Sequence, residues 1–245
     1  MSHAAVPGHR PDLLEAIVAA TRRTVELRKT REPHHVLEGR GTSVATVPGA
    51  FARAIAAPGR VNVIAESKRR SPARGLLRAD YNAAALAVEY ERAGAAALSV
   101  LTEPSFFDGS LEDLRAARQA SSLPILRKDF IIDEYQILEA RANGADAILL
   151  IVAALSPAAL PALLGTARAL GLDVLVEAHD EIEVARALEA GATIVGVNSR
   201  NLRTLEVDAG ALRTAIGRIP NGIAAVAESG LRTGHDVAEL REAGY

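Results

Sequence analysis

Cysteine is absent from the chain. That excludes disulfides, thiolate metal sites and cysteine nucleophiles, and it agrees with a reducing compartment. A strong charge of either sign is also missing: the formal net charge is -2 and the pI about 6.3. No global field therefore draws the protein to nucleic acid or an anionic membrane, and any anion specificity must be local. The N-terminus has no basic region followed by an apolar signal core, and no apolar run approaches the roughly 18 residues of a membrane span. A soluble, cytoplasmic protein is expected. Six histidines are present, but neither His34 and His35 nor His179 and His235 have metal-ligand spacing, so no metal is expected. No G-x-G-x-x-G or Walker motif occurs.

What is present is a core: 245 residues, 49% of them hydrophobic, suffice for one large α/β domain or two small ones. Residues 1–10 read as a loose tail. Leu14, Ile17, Val18, Thr21 and Val25 mark an amphipathic helix from Asp12 to about Lys29. A short helix is expected over Pro48–Ala56. Residues 1–60 thus read as a tail and helical extension packed on a body formed by 61–245.

In that body short β-rich runs alternate with longer helical ones. Strands are expected at Val61–Glu66, Ala97–Leu101, Pro124–Lys128, Ala147–Val152, Val174–Glu177, Ile194–Asn198 and Ile223–Glu228. Ser110 with Asp113, Asp133 with Gln136, Ser156-Pro157, and Asp180 with Glu183 are helix-start signals. Gly94, Gly144, Gly171, Gly191 and Gly244 are stops. Strands apolar on both faces between helices imply a parallel sheet covered by helices.

An internal repeat chooses between an open sheet and a barrel. Ala93-Gly94-Ala95, Asn143-Gly144-Ala145, Ala190-Gly191-Ala192 and Ala243-Gly244 recur about every 50 residues, one per two βα units, as in a (βα)8 TIM barrel. The repeat predicts an eighth strand after Gly244, where only Tyr245 stands. The expected eighth βα unit is thus outside this chain, leaving the first and last strands with open edges. A truncated, inactive fragment is one reading of that pattern, and association through the open edges is another, whereas a complete barrel would be monomeric.

The ends of the strands carry the chemistry. They read Glu66-Ser67-Lys68, Thr102-Glu103, Lys128-Asp129, Glu177, Asn198-Ser199-Arg200 and Glu228-Ser229-Gly230. Charge where parallel strands leave the core, repeated this often, predicts a ring of carboxylates and cations around one mouth. Either lysine can act as a general acid and Glu177 or Glu66 can take a proton. Glu228-Ser229-Gly230 offers a hydroxyl, a glycine N–H and an approaching helix, an arrangement suited to a phosphate group. Lys68 leads the basic run to Gly75 and is its best ligand candidate.

These motifs together resemble indole-3-glycerol-phosphate synthase. The resemblance rests on Ile64 to Pro72, Ser99 to Glu103 with Phe107 to Ser110, Pro124 to Phe130, Val176-Glu177, Gly196 to Leu202 and Ala227 to Gly230. It covers the chain from about residue 11 to the end. It implies tryptophan biosynthesis: cofactor-free ring closure, decarboxylation and dehydration of 1-(2-carboxyphenylamino)-1-deoxyribulose 5-phosphate to indole-3-glycerol phosphate. It further implies Lys128 as general acid at the ribulose carbonyl, Glu177 in the dehydration, and Lys68 as second proton donor and phosphate contact. Glu66 and Asn198 would orient substrate and lysines, with Glu228 lining the pocket. Ser229 and Gly230 would bind phosphate, and Ser71 and Pro72, with Arg200 and Phe130, would lie against the anthranilate portion. The runner-up is another sugar-phosphate barrel isomerase. A glycosidase using Glu66 and Glu177 is disfavoured by the two lysines and the phosphate-type loop.

Overall fold

A computed structural model describes residues 12–44 and 46–245. The tail expected over residues 1–10 lies outside them. The chain begins with three helices, α1 (Leu13–Arg31), α2 (His34–Ser43) and α3 (Ala50–Ile55). The alternating body follows: β1 (Ile64–Ser67), a hairpin of β2 (Arg70–Ser71) and β3 (Gly75–Leu76), α4 (Ala83–Arg92), β4 (Ala97–Leu101), α5 (Leu111–Ala120) and β5 (Ile125–Lys128). It continues with α6 (Glu134–Ala142), β6 (Ala147–Ile151), α7 (Ala159–Ala169), β7 (Asp173–Ala178), α8 (Glu181–Glu189), β8 (Ile194–Asn198), α9 (Ala209–Ile216), β9 (Ala224–Glu228) and α10 (Gly234–Ala243).

Seven strands form one sheet in the order β1-β4-β5-β6-β7-β8-β9, every pairing parallel. This is the βα-barrel arrangement, with β1 and β9 at the sheet's edges among the described residues. The inner strands are buried on both faces, whereas β1 and β9 are largely half-buried. The first strand was expected from Val61 but begins at Ile64, where its pairing with Ala97 begins; Val61 and Val63 remain exposed.

Two apolar layers follow from the period-two alternation of strand side chains. Val100, Ile125, Ile148, Leu150, Val176 and Val197 face the helices and pack with Leu114, Ile137 and Leu163. Leu126, Leu149, Ile151, Leu175 and Ile194 face the interior of the curl, where Leu14 and Ile17 of α1 and Phe51 of α3 join them. The amide of Ala52 donates to Asp173 Oδ2 at 2.9 Å, tying α3 to the start of β7. α2, absent from the sequence reading, has two glycines and buries only Leu37 among its described apolar side chains, against Val25, Tyr135 and Leu138. So sparse an apolar face leaves no period to read.

Gly94, Gly144, Gly191 and Gly244 all adopt positive φ, between 84° and 116°. There a Cβ would be strained, which accounts for glycine at each turn of the repeat. Ser110 caps α5 as its sequence suggests. Asp133 and Asp180 cap α6 and α8, but the residues expected to complete capping boxes do something else. Gln136 accepts from Ile132 N at 2.9 Å and donates to Phe130 O at 3.0 Å, and Glu183 accepts from His179 N at 2.9 Å. Both side chains brace the loop leaving a strand rather than their own helix. Ser156 sits a turn ahead of α7, its Oγ accepting from Ala159 N at 3.2 Å.

Candidate active site

On β5 the alternation divides neighbouring charges between two environments. Arg127 and Asp129 turn towards the helices. The Arg127 guanidinium is fully buried and donates to Thr102 Oγ1 (3.0 Å), Gln136 O (2.6 Å), Asp129 Oδ2 (2.9 Å) and Glu139 Oε2 (3.2 Å). Thr102 donates to Asp129 at 2.6 Å, and Arg28 of α1 reaches Glu139 at 3.1 Å. Glu103 accepts amides of Ser105, Phe106 and Phe107 at 2.7 to 3.1 Å. The expectation that Thr102 and Glu103 join the charged mouth is therefore corrected: their oxygens are consumed in shaping the strand end and its loop.

Lys128, between those outward residues, turns inward. Its Nζ lies 2.8 Å from Glu228 Oε2, 3.3 Å from Glu66 Oε2 and 3.9 Å from Glu177 Oε2. Lys68 pairs with the other oxygen of Glu66. Asn198 Nδ2 donates to Glu177 Oε1 at 3.1 Å, and Asn198 Oδ1 accepts from Arg200 N at 3.0 Å. Six sequence-predicted residues from β1, β5, β7, β8 and β9 and the loop after β1 thus meet in one network. Gly196 makes room for it: a Cβ there would collide with Glu228 Oε1.

Burial opposes the Lys128 charge, but Glu228, Glu66 and Glu177 outweigh it and hold the ammonium well above an ordinary lysine's range. Burial pushes Glu177 up to about 7, with Glu228 adding to the shift and Lys128, His179 and Asn198 opposing it. Burial would also raise Glu66, yet Lys128 and Lys68 bring it down to about 2. Two carboxylates on one lysine are thus driven apart, one towards the proton-binding range near neutrality and one held ionised.

The network sits in a cavity of about 720 Å³ that Ser71, Pro72, Phe107, Phe130, Arg200 and Ser229 also line. Phe107 and Phe130 form a tilted aromatic pair with centroids 6.0 Å apart. Ser71 ends β2 and Pro72 opens the turn of the hairpin, which the Arg69–Asp108 pair (3.1 Å) ties to the loop after β4. Ser229 and Gly230 follow β9 with φ of 64° and 77°. The helix beyond them, α10, starts with a capping box: Asp236 Oδ2 accepts the amides of Arg232 (2.8 Å) and Thr233 (2.9 Å), and Thr233 Oγ1 accepts from Asp236 N.

Sequence reasoning gives Phe107 no role and weighs His179 only as a metal ligand. His179 follows β7, with Nε2 3.5 Å from Glu177 Oε1. Its place two residues after Glu177 is the signal that the sequence offers.

A parallel βα sheet whose strand ends converge on an acid–base cluster of lysines and carboxylates defines an enzyme of the βα-barrel class. Its fold resembles N-acetylmannosamine-6-phosphate 2-epimerase from Clostridium perfringens, with TM-score 0.57 and 14% identity over 75% of this chain and 82% of that one. The family is settled by closer likenesses. The family model for indole-3-glycerol phosphate synthase matches residues 14–245. Indole-3-glycerol phosphate synthase of Chlorobium phaeovibrioides is 48% identical over 95% of this chain and 90% of its own length, and that of Parafrankia sp. is 51% identical over 94% and 85%. Indole-3-glycerol phosphate synthase 2 of Streptomyces coelicolor is 54% identical over 79% and 75%. The chain belongs to the indole-3-glycerol phosphate synthase family, carboxy-lyases of tryptophan biosynthesis.

Proposed function

We propose that this chain closes the indole ring of 1-(2-carboxyphenylamino)-1-deoxyribulose 5-phosphate with Lys128 as the principal acid. The carrying observation is the seat of Lys128, an ammonium held among three carboxylates at 2.8, 3.3 and 3.9 Å and presented to the cavity. Attack of the aromatic ring on the ribulose carbonyl builds negative charge on its oxygen. A preorganised ammonium stabilises that charge and transfers a proton as it develops. The high proton affinity of Lys128 ensures that it enters the cycle charged. Loss of carbon dioxide restores aromaticity, and loss of water then needs a group able to give and take a proton near neutrality. Glu177, raised to about 7, fits that step. Lys68 serves as second donor and phosphate contact.

Glu66, held ionised, keeps both lysines in place, while Asn198 fixes Glu177 and Glu228 completes the seat of Lys128. The Ser229–Gly230 turn takes the phosphate, remote from the reacting carbons, where binding energy provides orientation. Ser71, Pro72, Phe130 and Arg200 receive the anthranilate portion, its ring against Phe130 and its carboxylate towards Arg200. The cysteine-free chain and its small phosphorylated substrate fit a cytoplasmic enzyme. The test is conversion of the carboxyphenylamino substrate to the fluorescent indole product by the wild type and Lys128→Ala. Loss of several orders of magnitude in kcat is expected, and an unchanged rate would remove Lys128 from the acid role.

A further inference from the structure

His179 is a half-buried titratable group that this mechanism leaves unused, and its surroundings are specific. Glu183 Oε2 lies 2.9 Å from its Nδ1 and accepts its backbone N–H, also at 2.9 Å. Burial opposes ionisation of Glu183, but the His179 hydrogen bond and charge outweigh burial and lower it. An ionised carboxylate only accepts, so Nδ1 carries a hydrogen and Nε2 is the nitrogen that gains or loses a proton. Nε2 is buried, has no hydrogen-bond partner among the described residues, and faces Glu177 Oε1 at 3.5 Å. The other charged and polar groups around the pair are Lys128 from β5, Asn198 from β8 and Glu228 from β9, with Glu66 of β1 beyond Lys128.

We infer that His179, oriented by Glu183, is a positioning residue that shares one proton with Glu177 and so sets the protonation state of that carboxyl. When Glu177 releases its proton, Nε2 can accept it, converting a neutral acid and neutral imidazole into a carboxylate and imidazolium. The reverse transfer restores the acid. The proton count is conserved and no co-reactant is needed. Glu177 is raised to about 7, and His179 is raised above its ordinary value because Glu183 and Glu177 outweigh the burial that opposes its charge. The inference rests on Glu177 acting in the dehydration, but the coupling itself is measurable without turnover.

The closing experiment has two readouts. The first is an NMR titration of 13C-labelled histidine in the wild type and Glu177→Gln, with His179 assigned by the resonance missing from His179→Gln. Removal of the Glu177 carboxylate is expected to lower the His179 pKa by about half a unit or more. The second is the pH profile of kcat for His179→Gln, whose amide can hydrogen-bond but cannot carry the imidazolium charge. Without that charge the Glu177 ionisation moves up by a similar amount, whether the limb it governs is the acidic or the alkaline one. Identical His179 titrations in wild type and Glu177→Gln overturn the inference, even for an enzyme that forms indole product. An unshifted kcat profile in His179→Gln overturns it too. If His179→Gln does not fold, Glu183→Gln replaces it; its His179 pKa must fall, and an unchanged value counts against the arrangement. A chain that shows the coupling but forms no indole product refutes the proposed reaction and leaves the proton sharing intact.

Discussion

Replacing Lys128 with methionine keeps most of the side chain's volume and removes its charge, leaving Glu228, Glu66 and Glu177 facing one another. Each lost contact, at 2.8, 3.3 and 3.9 Å, corresponds to roughly 4–6 kcal/mol of gross attraction at an effective dielectric of about 20. Most of that is offset because the ammonium no longer has to be desolvated. Breaking a buried ionic cluster by removing one partner typically costs about 3–5 kcal/mol net, and the same is expected here at pH 7. The pH dependence is the sharper readout. Without the ammonium the folded carboxylate cluster retains protons that the unfolded chain releases, so it binds more protons folded than unfolded at neutral pH. Stability of the variant must then fall as pH rises, by about 1.4 kcal/mol per unit for each extra proton held. Urea unfolding at pH 6, 7 and 8 should show Lys128→Met losing ground to the wild type at every step up. Parallel stability profiles for the two proteins over that range would refute the claim that the three carboxylates depend on Lys128.

Gly196→Ala places a methyl against Glu228 Oε1, so Glu228 must leave Lys128; kcat/KM should drop at least about tenfold while the overpacking costs roughly 1–3 kcal/mol. Full activity in the steady-state indole assay would show that Glu228 is not needed where it stands. Glu66→Gln removes a carboxylate lowered from 4.5 to about 2. Its stabilisation is therefore complete above pH 4.5 and disappears as pH falls towards 2. The wild type should exceed Glu66→Gln by about 1–3 kcal/mol in urea melts at pH 7, with the gap narrowing at pH 3; a gap independent of pH would contradict that lowering. Arg127→Met leaves Asp129 and Glu139 buried with one cation fewer and should cost about 3–5 kcal/mol. Asp129→Asn added to it should recover part of that loss, as thermal unfolding of the single and double variants would reveal.

The alternating elements and inward-facing lysines were readable because strand burial and helix capping act over a few residues. Ile64 to Lys68 and Pro124 to Phe130 carry their period in the order of their residues. α2 was not readable, since Leu37 is buried by Val25, Tyr135 and Leu138 from elsewhere in the chain. The same holds for the partners of Gln136 and Glu183. Their spacing after Asp133 and Asp180 fits a capping box, but the backbone of the preceding loop offers competing amides, Ile132 N and His179 N, at 2.9 Å. The contacts of His179 were not readable because they depend on Glu177 and Glu183 converging on its two nitrogens, a fact of three dimensions.

The sharpest division lies within Arg127-Lys128-Asp129. Three successive charges at a strand end look alike in sequence, but the pleat sends the middle one to the cavity and its neighbours to the helix layer. A one-residue slip of β5 would bring Arg127 and Asp129 inward and strip Glu66, Glu177 and Glu228 of their shared cation. The buried pairing of Arg127 with Asp129 and Glu139, and through Glu139 with Arg28 of α1, makes that slip costly: it would abandon five polar contacts of Arg127 and Asp129 outside the cavity. The outward network therefore has a function although it never meets substrate. It fixes the register that keeps the Lys128 ammonium among its carboxylates, which is why an exchange as distant as Arg28→Met should weaken folding more than it alters the chemistry of the assembled site.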